Sequence, residues 1–285
     1  MTSDSPTDET GVEPPETFAA LADPTRLRAV RTVAESAEPP SFTELFEASD
    51  ADTTAGFAYH LRQLTGRYLR KADERYHLTY AGRRLARALD AGTFTDRVDR
   101  DPESVAGDCP ICGESALAAG VADSVVAVAC GACETELLAL PFTPNGVADR
   151  PTEEVLRAFD SYHRARLSMV ADGVCPDCAG AAASRIELRD HPAVPTDDPR
   201  PVADCGCEDC GFRLRVPVSL LLLDHPAVRR FAADAGIAVE ERPIWNLGPE
   251  WAERVVSDDP PAVAVSITAD GERVELLVGD GPTVP

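Results

Sequence analysis

Lysine is nearly missing from this chain. Lys71 is the single lysine among 27 basic residues, which stand against 49 Asp and Glu for a formal net charge of -22. Arginine in place of lysine, with carboxylates in excess, is the composition of a protein from a very salty cytoplasm. There an acidic surface answers to the solvent more than to a partner, so the charge alone does not argue against a nucleic-acid ligand. No run of 18 apolar residues occurs, which removes a membrane-spanning helix. The opening MTSDSPTDET has no apolar signal region. A soluble, cytoplasmic protein with no membrane partner is expected. The P-loop, GxSxG, HExxH and Rossmann glycine patterns are all absent, and an enzyme is not expected. Cysteine is absent before Cys109 and then occurs nine times.

What is present suffices for real cores: 44% of the 285 residues are apolar, and the length suits two or three domains. Charge is distributed unevenly. Residues 12–95 hold 11 basic and 12 acidic residues, net -1, whereas residues 96–285 hold 16 and 34, net -18, and residues 1–11 add -3. A small helical domain with little acidic surface would also be near neutral. The chain divides into an acidic tail over 1–11, read as disordered for want of apolar material, and a helical domain over 12–95. A polar linker over 96–108 leads to two cysteine-bearing modules, 109–174 and 175–236, and a small α/β cap over 237–285 whose last six residues form a tail.

In the helical domain, Glu16–Ala22 reads as a short helix carrying Phe18 and Leu21. Asp23-Pro24 is an N-cap followed by proline at the first helical position. It opens a helix to about Ala37 that buries Leu27, Val30 and Val33, and Pro39-Pro40 stops it. Ser41 and Glu44 have capping-box spacing and open a two-turn helix with Leu45 and Phe46 inward. Beyond the turn Ser49–Asp52, the helix Thr53–Leu64 carries Phe57, Leu61 and Leu64 on one side. The other side shows Thr54, Tyr59, Arg62 and Gln63, side chains suited to phosphates and base edges. Strand-like segments at Tyr68–Lys71 and Arg75–Leu78 flank the polar tip Ala72-Asp73-Glu74. Thr79 caps a last helix, Tyr80–Ala91, with Leu85 and Leu89 inward and Gly92 closing it. This is the element order of a winged helix-turn-helix, whose second motif helix enters the major groove.

Three stretches in this domain, LADPTRLRAV (Leu21–Val30), YHLRQL (Tyr59–Leu64) and YHLTYAGRRL (Tyr76–Leu85), resemble the ArsR-type transcriptional regulators, particularly their haloarchaeal relatives. The resemblance covers roughly residues 12–95. It implies sequence-specific binding of double-stranded DNA by a homodimer built through the first and last helices of the domain, with two recognition helices one DNA turn apart. By position it implies that Thr54, Gly56, Tyr59, His60, Arg62 and Gln63 face DNA and that Arg70, Lys71 and Arg75 are hairpin contacts. A solvated surface is the plain alternative for each, and His60 could pack against its own domain instead. Metal sensors of that family place cysteines around the helix-turn-helix, or His and acidic ligands on the last helix. Here that helix offers Arg83, Arg84 and Arg87, so this way of sensing is not implied.

Four CxxC pairs follow: Cys109/Cys112, Cys130/Cys133, Cys175/Cys178 and Cys207/Cys210, with 17 residues between the first two pairs and 28 between the last two. In a reducing cytoplasm such pairs favour metal over disulfides, and this spacing suits tetrahedral thiolate zinc, two structural ions in all. Gly113 and Gly211 after a pair supply the positive φ that such knuckles favour. Each set runs from CPxC through a strand (Ser124–Ala129; Ser184–Arg189) to a second pair, another strand (Leu137–Phe142; Phe212–Val216) and a helix (Glu153–Val170; Ala227–Ala235, closed by Gly236), as in a duplication. Other arrangements meet the same spacing: pairs matched across the two halves, disulfides, an iron centre, or Cys205 in place of Cys207. As a non-ligand, Cys205 would be a buried thiol. His163, His191 and His225 are scattered and read as surface or helix-end residues.

Toward the end of the chain, Glu253–Val256 reads as a short helix, and Trp245 and Trp251 as core. Ala262–Thr268 and Arg273–Val278 read as a hairpin around Asp270-Gly271, with Val263, Val265 and Ile267 inward against Val274, Leu276 and Val278. The expected fold class is α+β: an N-terminal winged helix-turn-helix domain, two tandem zinc-ribbon-like β modules with trailing helices, and a C-terminal hairpin. The expected function is a dimeric, sequence-specific transcriptional regulator with its zinc ribbons as an interaction or effector module. The alternative is an accessory protein that binds RNA polymerase or other parts of the transcription machinery through its ribbons, since archaeal basal initiation factors share this layout.

Overall fold

The structure, a computed structural model, describes residues 14–189 and 199–279. The acidic tail, the last six residues and His191 lie outside the described residues. The chain is a mixed α and β protein with four small antiparallel sheets among the described residues. It separates into two compact units, one ending at Asp96 and the other starting at Arg97.

The first unit contains α1 (Pro14–Ala19), α2 (Pro24–Glu35), α3 (Phe42–Glu47), α4 (Thr54–Leu64), the hairpin β1 (Leu69–Ala72) and β2 (Arg75–Leu78), and α5 (Tyr80–Asp90). Local chemistry sets these boundaries. Asp23 accepts a hydrogen bond from the Thr25 N–H (2.8 Å) at the start of α2. Ser41 and Glu44 exchange the reciprocal capping-box bonds at the start of α3, the Glu44 carboxylate accepting from the Ser41 N–H at 2.7 Å. Thr53 and Thr79 cap α4 and α5 through the N–H groups of Gly56 and Gly82. The helix expected over Glu16–Ala22 lies earlier, and its Phe18 is 68% exposed, whereas Ala20 and Leu21 are buried. The core is built on Val30, Leu45, Phe57, Leu61, Leu64 and Leu69. Phe57 packs against the rings of both Phe42 and Phe46, at centroid distances of 5.6 and 5.7 Å.

The second unit has a four-stranded sheet of β3 (Arg100–Ser104), β4 (Leu117–Ala122), β5 (Val125–Cys130) and β6 (Glu136–Pro141), in that spatial order. A short α6 (Pro144–Val147) and the twenty-residue α7 (Thr152–Ala171) follow. Then come a three-stranded sheet of β7 (Ala183–Arg189), β8 (Arg200–Gly206) and β9 (Arg213–Val216), a 3-10 turn at Val218–Leu222, and α8 (Pro226–Asp234). The last sheet is a meander of β10 (Trp251–Asp258), β11 (Pro261–Ala269) and β12 (Glu272–Gly279). The β11–β12 turn has Asp270 and Gly271 both at positive φ, 51° and 83°, the conformation of a two-residue hairpin loop. Its inward residues are those expected, with Val263, Val265, Ile267 and Val278 buried and Val274 and Leu276 packed against them.

Three expectations are corrected here. Arg100–Ser104, inside the stretch read as linker, is the edge strand of the first sheet; edge strands tolerate proline and charge because one side faces water. Glu253–Val256 belongs to β10, whose burial alternates residue by residue, so its period is two and not helical. The modules read separately over 109–174, 175–236 and 237–285 share one hydrophobic core that runs from Ala119 to Val278, with Phe159 and Leu167 of α7 inside it. Trp245 and Trp251 both pack against that core.

Candidate functional site

Each CxxC pair is a tight turn, and the residue immediately after it has positive φ: Gly113 (78°), Glu134 (58°), Ala179 (62°) and Gly211 (75°). At three of the four turns, the N–H of that residue donates to the carbonyl of the first cysteine of its pair: Gly113 to Cys109 (2.9 Å), Ala179 to Cys175 (2.9 Å) and Gly211 to Cys207 (3.0 Å). The glycines signal this in the sequence. At Glu134 and Ala179 no residue type marks it, because the knuckle geometry overrides local preference.

These turns bring Cys109, Cys112, Cys130 and Cys133 together, and separately Cys175, Cys178, Cys207 and Cys210, with all four sulfurs in each set within 4.8 Å of one another. Pairing across the halves does not occur, and none of the nine cysteines forms a disulfide. Between the two pairs of the first centre the sulfur distances are 3.8 Å (Cys109 to Cys133) and 3.7 Å (Cys112 to Cys130). In the second they are 3.6 Å for both Cys175 to Cys210 and Cys178 to Cys207. Four thiolates at about 2.3 Å from a tetrahedral ion would stand about 3.8 Å apart. Each centre could therefore hold one metal ion with little rearrangement.

The surroundings fit that use. The Ile111 N–H approaches the Cys109 sulfur at 3.4 Å and the Gly180 N–H approaches the Cys178 sulfur at 3.3 Å. The Thr135 hydroxyl and N–H bring Cys133 down to about 6. Burial opposes ionisation of Cys175, but the Cys178 and Asp177 N–H groups bring it down to about 7. Against the lowering N–H of Glu114, desolvation and the neighbouring sulfurs push Cys112 up to about 12. One thiolate forms readily and makes the next harder, which is the state of a thiolate cluster that a cation relieves. Cys109 and Cys130 are buried with Leu117 against Trp245, and Asn246 donates to the Asp108 carbonyl at 2.8 Å, so the C-terminal part of the unit seals the first centre. At the second centre, Arg166 of α7 pairs with Asp177 (2.8 Å) and stacks over the rings of Tyr162 and Phe212, each 5.0 Å away.

Cys205 is buried on β8 outside both sets, and desolvation, then the Asp204 charge, push its thiol up to about 12, where it is unreactive. His163, read as a surface residue, is fully buried, its Nε2 3.1 Å from the Pro141 carbonyl. Helical spacing did contain this signal, since Leu156, Phe159 and His163 share one face of α7. His225 is a helix-end residue, the N-cap of α8.

In the first unit, Thr54, Gly56, Tyr59, Arg62 and Gln63 form the exposed face of α4, with Tyr59 50% exposed, and Arg70 and Lys71 are exposed on β1. The turn beyond them places Asp73 and Glu74 at positive φ, and Lys71 pairs with Glu74 at 2.6 Å. Two residues of the set are engaged within the unit. The Nδ1 of half-buried His60 lies 3.6 Å from the Asp23 carboxylate. Arg75 donates to the Pro39 carbonyl at 2.7 Å and lies 3.5 Å from Glu44, tying the hairpin to the start of α3.

Residues 106–284 match the family described as Domain of unknown function (DUF7351), and residues 14–89 match the one described as Domain of unknown function (DUF7347). No curated protein and no solved structure matches the chain. Among the described residues no helix is long and apolar enough to cross a membrane.

Proposed function

The chain belongs to the DUF7351 family, and from that premise we propose that it is a cytoplasmic, dimeric, sequence-specific DNA-binding regulator of ArsR-like type with two structural zinc centres. The observation that carries this reading is the exposed polar face of α4 beside the basic strand of the β1–β2 hairpin. In a winged helix-turn-helix this helix enters the major groove and the hairpin lies along the backbone. Arg62 and Gln63 then reach base edges, Arg toward guanine and Gln toward adenine. Thr54, Tyr59, Arg70 and Lys71 meet phosphates and sugars. His60 and Arg75 brace the unit and leave recognition to the others. Exposure of Phe18 on α1, Tyr80 at the start of α5 and Phe94 just after it supports a partner subunit on the first and last helices.

Zinc is the metal favoured by four-thiolate tetrahedra, and a complete set of protein ligands makes each centre structural, with no open position for water. The first unit has a net charge near zero, and at molar salt the screening length is about 3 Å. Long-range attraction to phosphates is then weak, so affinity rests on close base contacts. Footprinting on the DNA upstream of its own gene, at host salt, tests the reading: Arg62→Ala with Gln63→Ala is expected to weaken protection at least tenfold, from about 1–3 kcal/mol per lost bidentate contact. Unchanged protection would refute it. The exposed knuckle residues Ile111, Cys112, Cys178 and Cys210 favour a second reading, docking of a transcription-machinery protein on the zinc modules. Capture of RNA polymerase without a discrete footprint would support that instead.

A further inference from the structure

The three-stranded sheet that carries the second cysteine centre has two unlike faces. Ser184, Ile186, Ala203, Cys205, Leu214 and Val216 point into the core. The alternate residues Arg185, Glu187, Arg189, Arg200, Val202, Asp204, Arg213 and Arg215 share the outer face. Among the described residues, five guanidiniums thus meet two carboxylates on one sheet face, in a region whose residues 96–285 carry net -18.

Four of these arginines, Arg189, Arg200, Arg213 and Arg215, line a groove of about 480 Å³ between this sheet and β6, a volume in the range of small-molecule sites. They fall into two groups. Arg189 and Arg200 stand directly opposite each other across β7 and β8, where like charges are unfavourable; Glu187 answers Arg189 and the Glu253 carboxylate answers Arg200 from the chain itself. Arg215 stands opposite Asp204 on β8, four residues from Arg200 and so about 13 Å along the strand, with Arg213 next to it on the same face. Asp204 holds Arg213 at 2.8 Å and Arg215 at 3.7 Å, while Glu187 holds Arg189 at 2.7 Å and Arg215 at 3.8 Å. Each guanidinium has five donors, so these contacts orient the forks without using them up. Pro201, Val202 and Pro217 also line the groove, as do the carboxylates Glu136 and Glu253, the latter accepting from the Ser219 N–H at 2.7 Å. Among the described residues no aromatic side chain lines the groove, which leaves no stacking surface for a base there.

We propose that this groove binds a bisphosphorylated small molecule of sugar size, one phosphate at Arg189 and Arg200 and the other at Arg213 and Arg215. Planar guanidinium forks match phosphate oxygens two at a time, and two pairs, which meet at Glu187, offer a ligand with two anionic ends more contacts than a single phosphate. The site lies wholly in the second unit and does not rest on the DNA-binding reading.

The test is titration calorimetry of the full, metal-loaded chain with fructose 1,6-bisphosphate, and with inorganic phosphate as comparison, in the salt that keeps it folded. Saturable one-to-one binding at least tenfold tighter than inorganic phosphate is expected. Arg189→Ala with Arg200→Ala should weaken it at least tenfold, and Arg189→Lys with Arg200→Lys, which keeps the charge and loses the forks, should weaken it severalfold. Arg185→Ala, on the same face outside the groove, should leave it within twofold. Binding no tighter than inorganic phosphate, or equal losses in Arg185→Ala, would overturn the proposal. So would a chain that ignores the bisphosphate while duplex DNA or an acidic peptide binds through Arg189 and Arg200. The footprint of the Arg62 and Gln63 variant reads the DNA function separately.

Discussion

His163 is a core residue with a charge decision to make. Burial, with the Arg166 charge second, brings its pKa down to about 4 from the ordinary 6.5. The Pro141 carbonyl can only accept, so the ring carries its proton on Nε2. The folded state therefore stays neutral while the unfolded chain gains a proton below pH 6.5. Stability is unaffected above that value, falls as pH drops from 6.5 toward 4, and levels off below. The loss amounts to roughly 3 kcal/mol. His163→Gln keeps a donor for Pro141 and removes the titration. Urea midpoints between pH 4 and 7.5 should show a flatter pH dependence for the variant by about that amount. Proton-driven metal release affects both proteins alike and cancels in the comparison. Identical slopes would show that the ring titrates normally.

Among the elements, α5 and the β1–β2 hairpin depend on one glycine. A Cβ added at Gly82 would run into the backbone carbonyl of Tyr68, with Leu78 close by, and a backbone atom cannot swing aside. Gly82→Ala should cost about 1–3 kcal/mol through this overpacking, measured by thermal unfolding of the first unit, and it should weaken DNA binding by shifting the hairpin. A fully stable variant would mean that α5 can move away from the hairpin freely.

Elements were legible where a residue type names its own role. Asp23-Pro24, the Ser41/Glu44 box, Thr53 and Thr79 signal helix starts, and Asp270-Gly271 signals its turn. The eight cysteines name their centres, since a two-residue gap leaves a knuckle few other geometries. Strands β3 and β10 were not legible. Arg100–Ser104 is an edge with polar residues and a proline, and the inward side of β10 includes the polar Glu253, so its alternation is not one of apolar against polar. Glu253 reaches into the interior because the Ser219 N–H receives it, a partner 34 residues away that no local pattern reveals.

At the scale of the molecule, the sequence divides at the cysteines, but the second unit does not divide again. Its strands and α7 enclose one main core, with Cys109, Leu117 and Cys130 in a smaller cluster of the same unit, and both thiolate centres are built into that unit. The near-neutral charge of residues 12–95 marks the first unit, whose core is built from its own residues. Metal removal should therefore unfold residues 97–279 as one cooperative block, since the binding free energy of structural zinc is folding free energy. The core of the first unit should survive. Amide hydrogen exchange after chelation is expected to show protection lost from β4 to β12 and kept in α2 and α4. Loss confined to residues 109–142, or loss throughout both units, would contradict this division.

The central claim is that α4 reads a DNA sequence, and genome-wide occupancy of the tagged chain in its host tests it most directly. The account predicts a limited set of sharp sites sharing one inverted repeat, with half-sites about one helical turn apart, and their disappearance in Arg62→Ala with Gln63→Ala. Occupancy that follows RNA polymerase across active promoters, without a shared repeat and unchanged in that variant, would contradict it.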